Sequence, residues 1–253
     1  MKKKLIKLLD DTPEAYYWMG FLMADGCFHY NRLLIGLAIK DENLLIKFLN
    51  FLSCDNNIHS DNIKTVLTIM DTYSVPLLRQ KFDINKRKTY NPPKNILWME
   101  DDLLYSFIIG FIDGDGSILK QYRREDPILR IKIHSNWLNI LNDITKFISD
   151  KAKVPVVLAR INNQGYANVN LANHVLLKSI KNKVLELGLP YLKRKWSLID
   201  INKINKMEKS KTLKSNIKKL LKTGLSVNEI SNKLNVKYIT IYQAIKRNNL
   251  NYL

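Results

Sequence analysis

Trp18-Met19-Gly20-Phe21-Leu22-Met23-Ala24-Asp25-Gly26 and Ile108-Ile109-Gly110-Phe111-Ile112-Asp113-Gly114-Asp115-Gly116 nearly repeat each other, 90 residues apart. Each closes an apolar run with an acid and a glycine, so Asp25 and Asp115 occupy equivalent places. On a helix, Gly20 and Ala24 share one face, as do Gly110 and Gly114, and small residues there let two helices touch closely. Helices packed through those faces deliver Asp25 and Asp115 together at one end. Gly26 and Gly116 are suited to the left-handed conformation that ends a helix.

That end is electrostatically wrong for an anion, because the helix dipole is negative there and two adjacent carboxylates also repel each other. A divalent cation relieves both problems. Hard oxygen donors select Mg²⁺, with other divalent cations able to substitute, and Mg²⁺ takes a carboxylate or two plus substrate phosphates.

The same order of elements follows each copy. In the first, a helix over 13–25 precedes a strand at 33–39, a helix at 42–52, strands near 57–59 and 64–70, and a helix near 75–82. The second has a helix at 102–115, strands near 117–121 and 128–134, and a helix at 136–151. A hairpin follows, 156–161 turning through Asn162-Asn163-Gln164-Gly165 into 166–171, and then a helix to Leu187. Asn91-Pro92-Pro93-Lys94 suits a join between halves, because proline blocks regular structure. The expected organisation is a first half at 1–93, a second at 94–205, a linker at 206–212 with Lys206 to Lys211 as tether, and a third module at 213–253.

Composition narrows the partner. A chain of 253 residues with 46% apolar content can bury one or two cores unaided. Its apolar runs are too short to cross a bilayer and no signal peptide is evident, so a soluble cytoplasmic protein is expected, or one of an organelle matrix if organelle-encoded, and not a secreted one. Cys27 and Cys54 form neither a disulfide framework nor a metal pair. Against 23 acids stand 41 Lys plus Arg, a formal +18, which a polyanionic partner explains best. Residues 201–253 alone hold twelve Lys or Arg and two acids, a net +10.

The paired motifs in register resemble the LAGLIDADG homing endonucleases, in the form that carries both motifs on one chain. The resemblance spans residues 1 to about 205. It implies an α+β fold, a pseudo-symmetric tandem αββαββα pair forming a saddle over double-stranded DNA, with the motif helices as the interface. It further implies that Asp25 and Asp115 bind the metal, helped by the carbonyls of Ala24 and Gly114, and that one phosphodiester is hydrolysed per strand. Basic residues late in each half, Lys88 and Lys195, take the place of phosphate-polarising or water-orienting groups; a solvated charge run or a DNA-backbone contact is the other reading of them. The family's earlier acid is present as Asp113 but replaced by Met23. A water-holding polar residue on the second strand registers as Lys132 in one half and Ala38 in the other, so asymmetric, sequential cutting is expected.

Strand alternation exposes candidate DNA contacts. Arg130, Lys132 and His134 oppose Leu129, Ile131 and Ile133, while Tyr166, Asn168 and Asn170 oppose Ala167, Val169 and Leu171. Arg160 joins them, and amides and cations suit base edges in the major groove. The first half offers only Arg32 and Lys40, its strand faces being largely apolar. In the tail, helices at 226–234 and 237–247, preceded by one at 213–222, look like a helix-turn-helix module. Leu225, Ile230, Leu234, Val236 and Ile241 would form its core, and Lys237, Tyr238, Thr240, Tyr242 and Gln243 its contacts.

His29, His59, His134 and His174 form no HxH or HExxH pair, and no phosphate-binding loop is present. The expectation is a monomeric, Mg²⁺-dependent, site-specific DNA endonuclease with an appended DNA-binding tail. An intron-splicing maturase of the same fold, with intron RNA as partner, and a non-catalytic DNA-binding regulator are the competing readings.

Overall fold

The computed structural model describes residues 4–120, 126–202 and 206–247. The chain forms two compact units, 1–201 and 202–253. The first is built from two αββαββα repeats. A 3-10 turn (Ile6–Leu9) leads into α1 (Pro13–Asp25), β1 (Gly26–His29), β2 (Arg32–Ala38), α2 (Glu42–Leu52), β3 (Ile58–Ser60), β4 (Lys64–Met70) and α3 (Ser74–Lys81). The second repeat runs α4 (Asp101–Asp115), β5 (Gly116–Leu119), β6 (Ile128–His134), α5 (Leu138–Ala152), β7 (Arg160–Ile161), β8 (Tyr166–Leu171) and α6 (His174–Glu186), closed by a short α7 (Lys193–Trp196). Each repeat folds its strands into an antiparallel sheet of the same order, β1-β2-β4-β3 and β5-β6-β8-β7.

α1 starts where Thr12 accepts a hydrogen bond from the Ala15 N–H and Pro13 supplies a pre-set first turn. α4 starts on Asp101 and Asp102, which favour the positive end of the dipole. Both helices are apolar all round and buried almost throughout, so neither can be a surface helix. They pack on each other and form the centre of one continuous core. The inner sheet faces (Leu33, Ile35, Leu67 and Ile69; Leu129, Ile131, Val169 and Leu171) join that core, covered by α2 and α5. The repeat extends to fine detail: α2 and α5 both end on a left-handed residue, Ser53 and Lys153.

Several expectations change. Gly26 and Gly116 are extended, with φ of −77° and −82°, not left-handed. Each N–H still reaches back to a helix carbonyl, Leu22 or Ile112, while the chain passes straight into the strand. A Cβ at either site would lie 2.7 Å or 2.5 Å from that carbonyl oxygen, so close approach is the reason for glycine. β1 is a strand that the alternation pattern did not predict. The segment 156–158, read as strand, is irregular: Pro155 lacks an N–H and the Ala159 N–H goes to Asn142 Oδ1, 2.8 Å, which ties this stretch to α5. β5 begins at Gly116 and ends at Leu119; Gln121, the expected end of that strand, lies outside the described residues. Residues 82–100 hold no helix or strand.

The second unit contains α8 (Lys206–Leu221), α9 (Val227–Leu234) and α10 (Tyr238–Arg247). Residues 206–212, read as a tether, are the first turns of α8, while the boundary drawn at 205 lies outside the described residues. Ser226 and Glu229 form a reciprocal capping box that starts α9. Ile217, Leu221, Ile230 and Ile241 are its core, with Leu225, Leu234 and Val236 packed around them. No helix among the described residues is long and apolar enough to cross a membrane.

Candidate active site

The approach of α1 to α4 is set by glycine. A Cβ on Gly20 would lie 1.8 Å from the Phe107 carbonyl oxygen, and one on Gly110 would lie 1.9 Å from that of Tyr17. One turn on, a Cβ at Gly114 would be 2.3 Å from the Ala24 Cβ and 3.5 Å from the Asp25 carboxyl carbon. The backbones are thus in contact where the two acids emerge. Asp25 is open to solvent on one side and Asp115 is half-buried. Burial raises the Asp25 pKa, opposed by Lys195 and Lys88. Burial, then the negative charge of Asp25, push Asp115 up to about 6. Asp115 therefore feels the charge of Asp25.

Each helix end also carries a lysine. Lys88 Nζ donates to the carbonyls of Met23 (2.5 Å) and Ala24 (2.8 Å). Lys195 Nζ donates to those of Ile112 (3.2 Å), Asp113 (2.5 Å), Gly114 (3.3 Å) and Gly116 (2.6 Å). Both cations cap the negative ends of the motif helices. So the negative ends of the motif dipoles are already offset by protein charge, before any metal ion. The same lysines oppose, without cancelling, the effect of burial and of the Asp25 charge on Asp115. Burial lowers the pKa of both lysines, opposed chiefly by Asp115 and Asp25 for Lys88 and by Asp113 for Lys195. The Ala24 and Gly114 carbonyls, expected at a metal, are each shared with a lysine.

The lysines differ in what they have left to give. An ammonium has three N–H donors. Lys195 spreads its three over four carbonyls, whereas Lys88 uses two on the described residues. The loops bearing them are each clasped by the opposite half. Trp137 Nε1 donates to the Lys88 and Thr89 carbonyls, both 3.1 Å, and Arg194 grips Asp41 with Nε (2.7 Å) and Nη2 (2.5 Å). Nothing in the two motifs flagged Trp137, Asp41 or Arg194. The available signal was the unusual acid after Lys40, in a loop equivalent to the one holding Trp137.

Asp113 is fully buried and accepts from Tyr17 Oη (2.8 Å), Leu192 N–H (2.9 Å) and Trp196 Nε1 (2.8 Å). It supports the interface and does not face the acids' opening. At the same offset, Tyr17 corresponds to Phe107, so the other half replaces both members of the pair together: Met23 for the acid and Phe107 for the hydroxyl.

The remaining candidates fall on two surfaces of the first unit and one of the second. Arg130, Lys132, His134, Tyr166, Asn168 and Asn170 share the outer face of β6 and β8, and Arg160 on β7 stands opposite Asn168. Arg130 Nε donates to Asn170 Oδ1 (2.9 Å), and Lys132 donates to Gln164 Oε1 (2.9 Å) while lying 4.4 Å from the Tyr166 ring centre. Arg32 is exposed at the start of β2. Lys40 is exposed beside Asp41 and helps line a basic cavity of about 430 Å³ with Lys47, Lys193 and Arg194. Sheet register corrects one pairing. Ile35 opposes Gly26 and Ile131 opposes Gly116, which makes Lys132 equivalent to Gly36 and Ala38 equivalent to His134. In the tail, Lys237, Tyr238, Thr240, Tyr242 and Gln243 are all exposed, and the Tyr238 and Tyr242 rings stack with centroids 6.3 Å apart.

No family model and no curated protein sequence matches the chain. Among solved structures it is similar to the LAGLIDADG homing endonuclease I-GzeII in complex with its DNA target, at 15% identity and a TM-score of 0.52, covering 79% of this chain and 92% of that one. I-SmaMI bound to an uncleaved DNA target with calcium follows at 14% identity and 0.48, covering 73% and 87%. Full-length DUF199/WhiA from Thermatoga maritima covers 96% of this chain and 94% of its own at 16% identity and 0.45. The I-GzeII likeness is one of fold: the first unit has the two-repeat LAGLIDADG architecture.

Proposed function

We propose that the chain is a monomeric, Mg²⁺-dependent endonuclease of homing type that makes a site-specific double-strand break in DNA. The observation that carries this reading is the convergence of Asp25 and Asp115 at the joined ends of two buried helices, each end held by a lysine. A protein of this fold bound to its DNA target, I-GzeII, supports it. So does the formal +18, which matches a polyanion.

The donor set fits Mg²⁺. Two hard carboxylates, Asp25 and Asp115, the latter raised in pKa by burial and then by the Asp25 charge, are the residues that would hold the ion. When bound, it supplies charge for the leaving oxygen and a more acidic attacking water. The chain's own residues do the rest. Lys88 has an N–H to offer a phosphate oxygen while it holds α1. Lys195, with its donors committed to carbonyls, fixes the end of α4, so the two strands of the target meet unequal sites. Polar side chains on β6, β7 and β8 orient the duplex, and the tail adds a second basic surface that raises local concentration. A splicing maturase or a DNA-binding regulator would use these basic surfaces and leave the paired acids without a task.

Incubation of the full-length protein and Mg²⁺ with a plasmid library carrying randomised inserts tests this. The expected result is linearised plasmids that share a sequence at their ends, preceded by a nicked form, with linearisation lost in Asp25→Asn and Asp115→Asn. Cutting by both variants at the wild-type rate would overturn the assignment.

A further inference from the structure

The two sheets turn very different chemistry outward. Register aligns them position by position: Leu34 with Arg130, Gly36 with Lys132 and Ala38 with His134 on the second strands, and Val66 with Asn168 and Thr68 with Asn170 on their partners. At all of these places a cation, imidazole or amide in the C-terminal sheet is replaced in the N-terminal sheet by an apolar or small residue, or by a threonine. The apolar face is not a buried one. Leu34 is 39% and Met70 59% exposed, and Gly36 and Ala38 are exposed as well. Arg32 and Lys64 stand at opposite ends of the β2–β4 pair, with no Lys, Arg, Asp or Glu on the outer face of β2 or β4 between them.

A face of exposed Leu34, Gly36, Ala38 and Met70 with half-buried Val66, broken by Thr68 and bordered on β3 by His59 opposite Val66, marks a contact surface. A second copy is a poor occupant, since a chain of +18 repels itself. Flanking cations with an apolar centre suit a DNA groove, with phosphates at the rims and bases between. In the major groove the one apolar group is the thymine C5-methyl; every other edge offers a donor or acceptor that an apolar side chain would leave unpaired. Gly36 and Ala38 keep the strand low, so the backbone can approach closely.

Resting on the nuclease reading above, we propose that the N-terminal sheet recognises its half of the target through thymine methyl groups, while the C-terminal sheet reads the other half by hydrogen bonds. The two half-sites then differ in chemistry as well as in sequence. One is thymine-rich and tolerant of change in its hydrogen-bonding pattern, and the other is sensitive to it.

The test begins with selection of duplexes from a randomised pool by the full-length protein. The best duplex is then made with deoxyuridine in place of thymidine in one half at a time, and equilibrium binding is measured. Uracil in one half should weaken binding about fourfold for each methyl touched. Uracil in the other half should have little effect, whereas 7-deazaguanine there should weaken binding. Leu34→Asn, at an exposed position, should erase most of the uracil penalty, and Arg130→Ala should leave it intact. Equal or absent uracil effects in the two halves, an undiminished penalty in Leu34→Asn, or a dimer that Leu34→Asn dissolves would each overturn the inference while leaving DNA binding standing. Failure to enrich any duplex would overturn the nuclease reading and this one with it.

Discussion

Asp115 and Asp113 stand two residues apart and show how environment assigns opposite tasks to one side chain. Asp113 is buried with three donors around it and holds the interface together. Asp115 has no hydrogen-bonding donor among the described residues, is half-buried and faces a second carboxylate, so burial first and that neighbour second make its charge a cost to the folded state. The sign of that cost is testable. Its pKa rises from 3.8 to about 6 on folding, so the native state holds the proton more tightly, and stability falls as pH climbs through that window. Asp115→Asn should match wild type at about pH 3, below the unfolded-state pKa, and exceed it above pH 6 by about 1–3 kcal/mol, the free energy of a shift of this size. Urea unfolding of both proteins in chelator at the two pH values measures the gap, and a gap that does not widen with pH would refute it. Both acids were legible in the sequence because the motif repeats. The role of Asp113 was not, since it depends on Tyr17 from the opposite half and on Trp196, far along the chain.

At the scale of elements, the α1–α4 contact decides whether a site exists at all. Gly20→Ala and Gly110→Ala would each place a methyl group within 2 Å of a backbone carbonyl oxygen on the facing helix, and backbone cannot move aside as a flexible side chain can. Each should destabilise the fold by about 3 kcal/mol or more. Gly36→Ala, with nothing within 4 Å, should change stability by no more than about 0.5 kcal/mol. Chemical denaturation of the three variants checks the contrast, and a mild effect at Gly20 would mean that the helices do not meet as described. The long elements were readable because burial on one or both faces leaves a periodic or continuous apolar trace. β1 was not, since four residues beginning on glycine give too little alternation. Segment 156–158 misled for the opposite reason: its apolar run is strand-like, but Pro155 and the bond from Ala159 to Asn142 remove it from the ladder. Lys88 and Lys195 stood out by their place late in each half, but their bonds to helix carbonyls did not, because a carbonyl acceptor leaves no mark in a sequence.

Across the whole molecule, positive charge is unevenly shared. Residues 201–253 carry a net +10 of the total +18 on a small unit with its own core. That much charge on so short a segment favours binding to phosphates, and an α10 whose exposed side includes Thr240, Gln243 and two stacked tyrosines, with Lys237 just ahead of it, is equipped for a groove as well. The helical start of α8 at Lys206 moves the natural point of truncation to Ile201, ahead of the tether that composition alone suggested. A chain ending there keeps both acids, both lysines and both clasps, so under the proposed endonuclease function its rate of strand cutting at saturating DNA should be unchanged. Its affinity should fall, and the slope of log K against log salt should become shallower by about 0.9 for each phosphate that the tail had neutralised. Binding measured across a salt series for the two forms separates these effects. Equal affinity and equal slope would show that the tail's charge serves something other than DNA, and a slower cutting rate at saturation would place part of the chemistry in the tail.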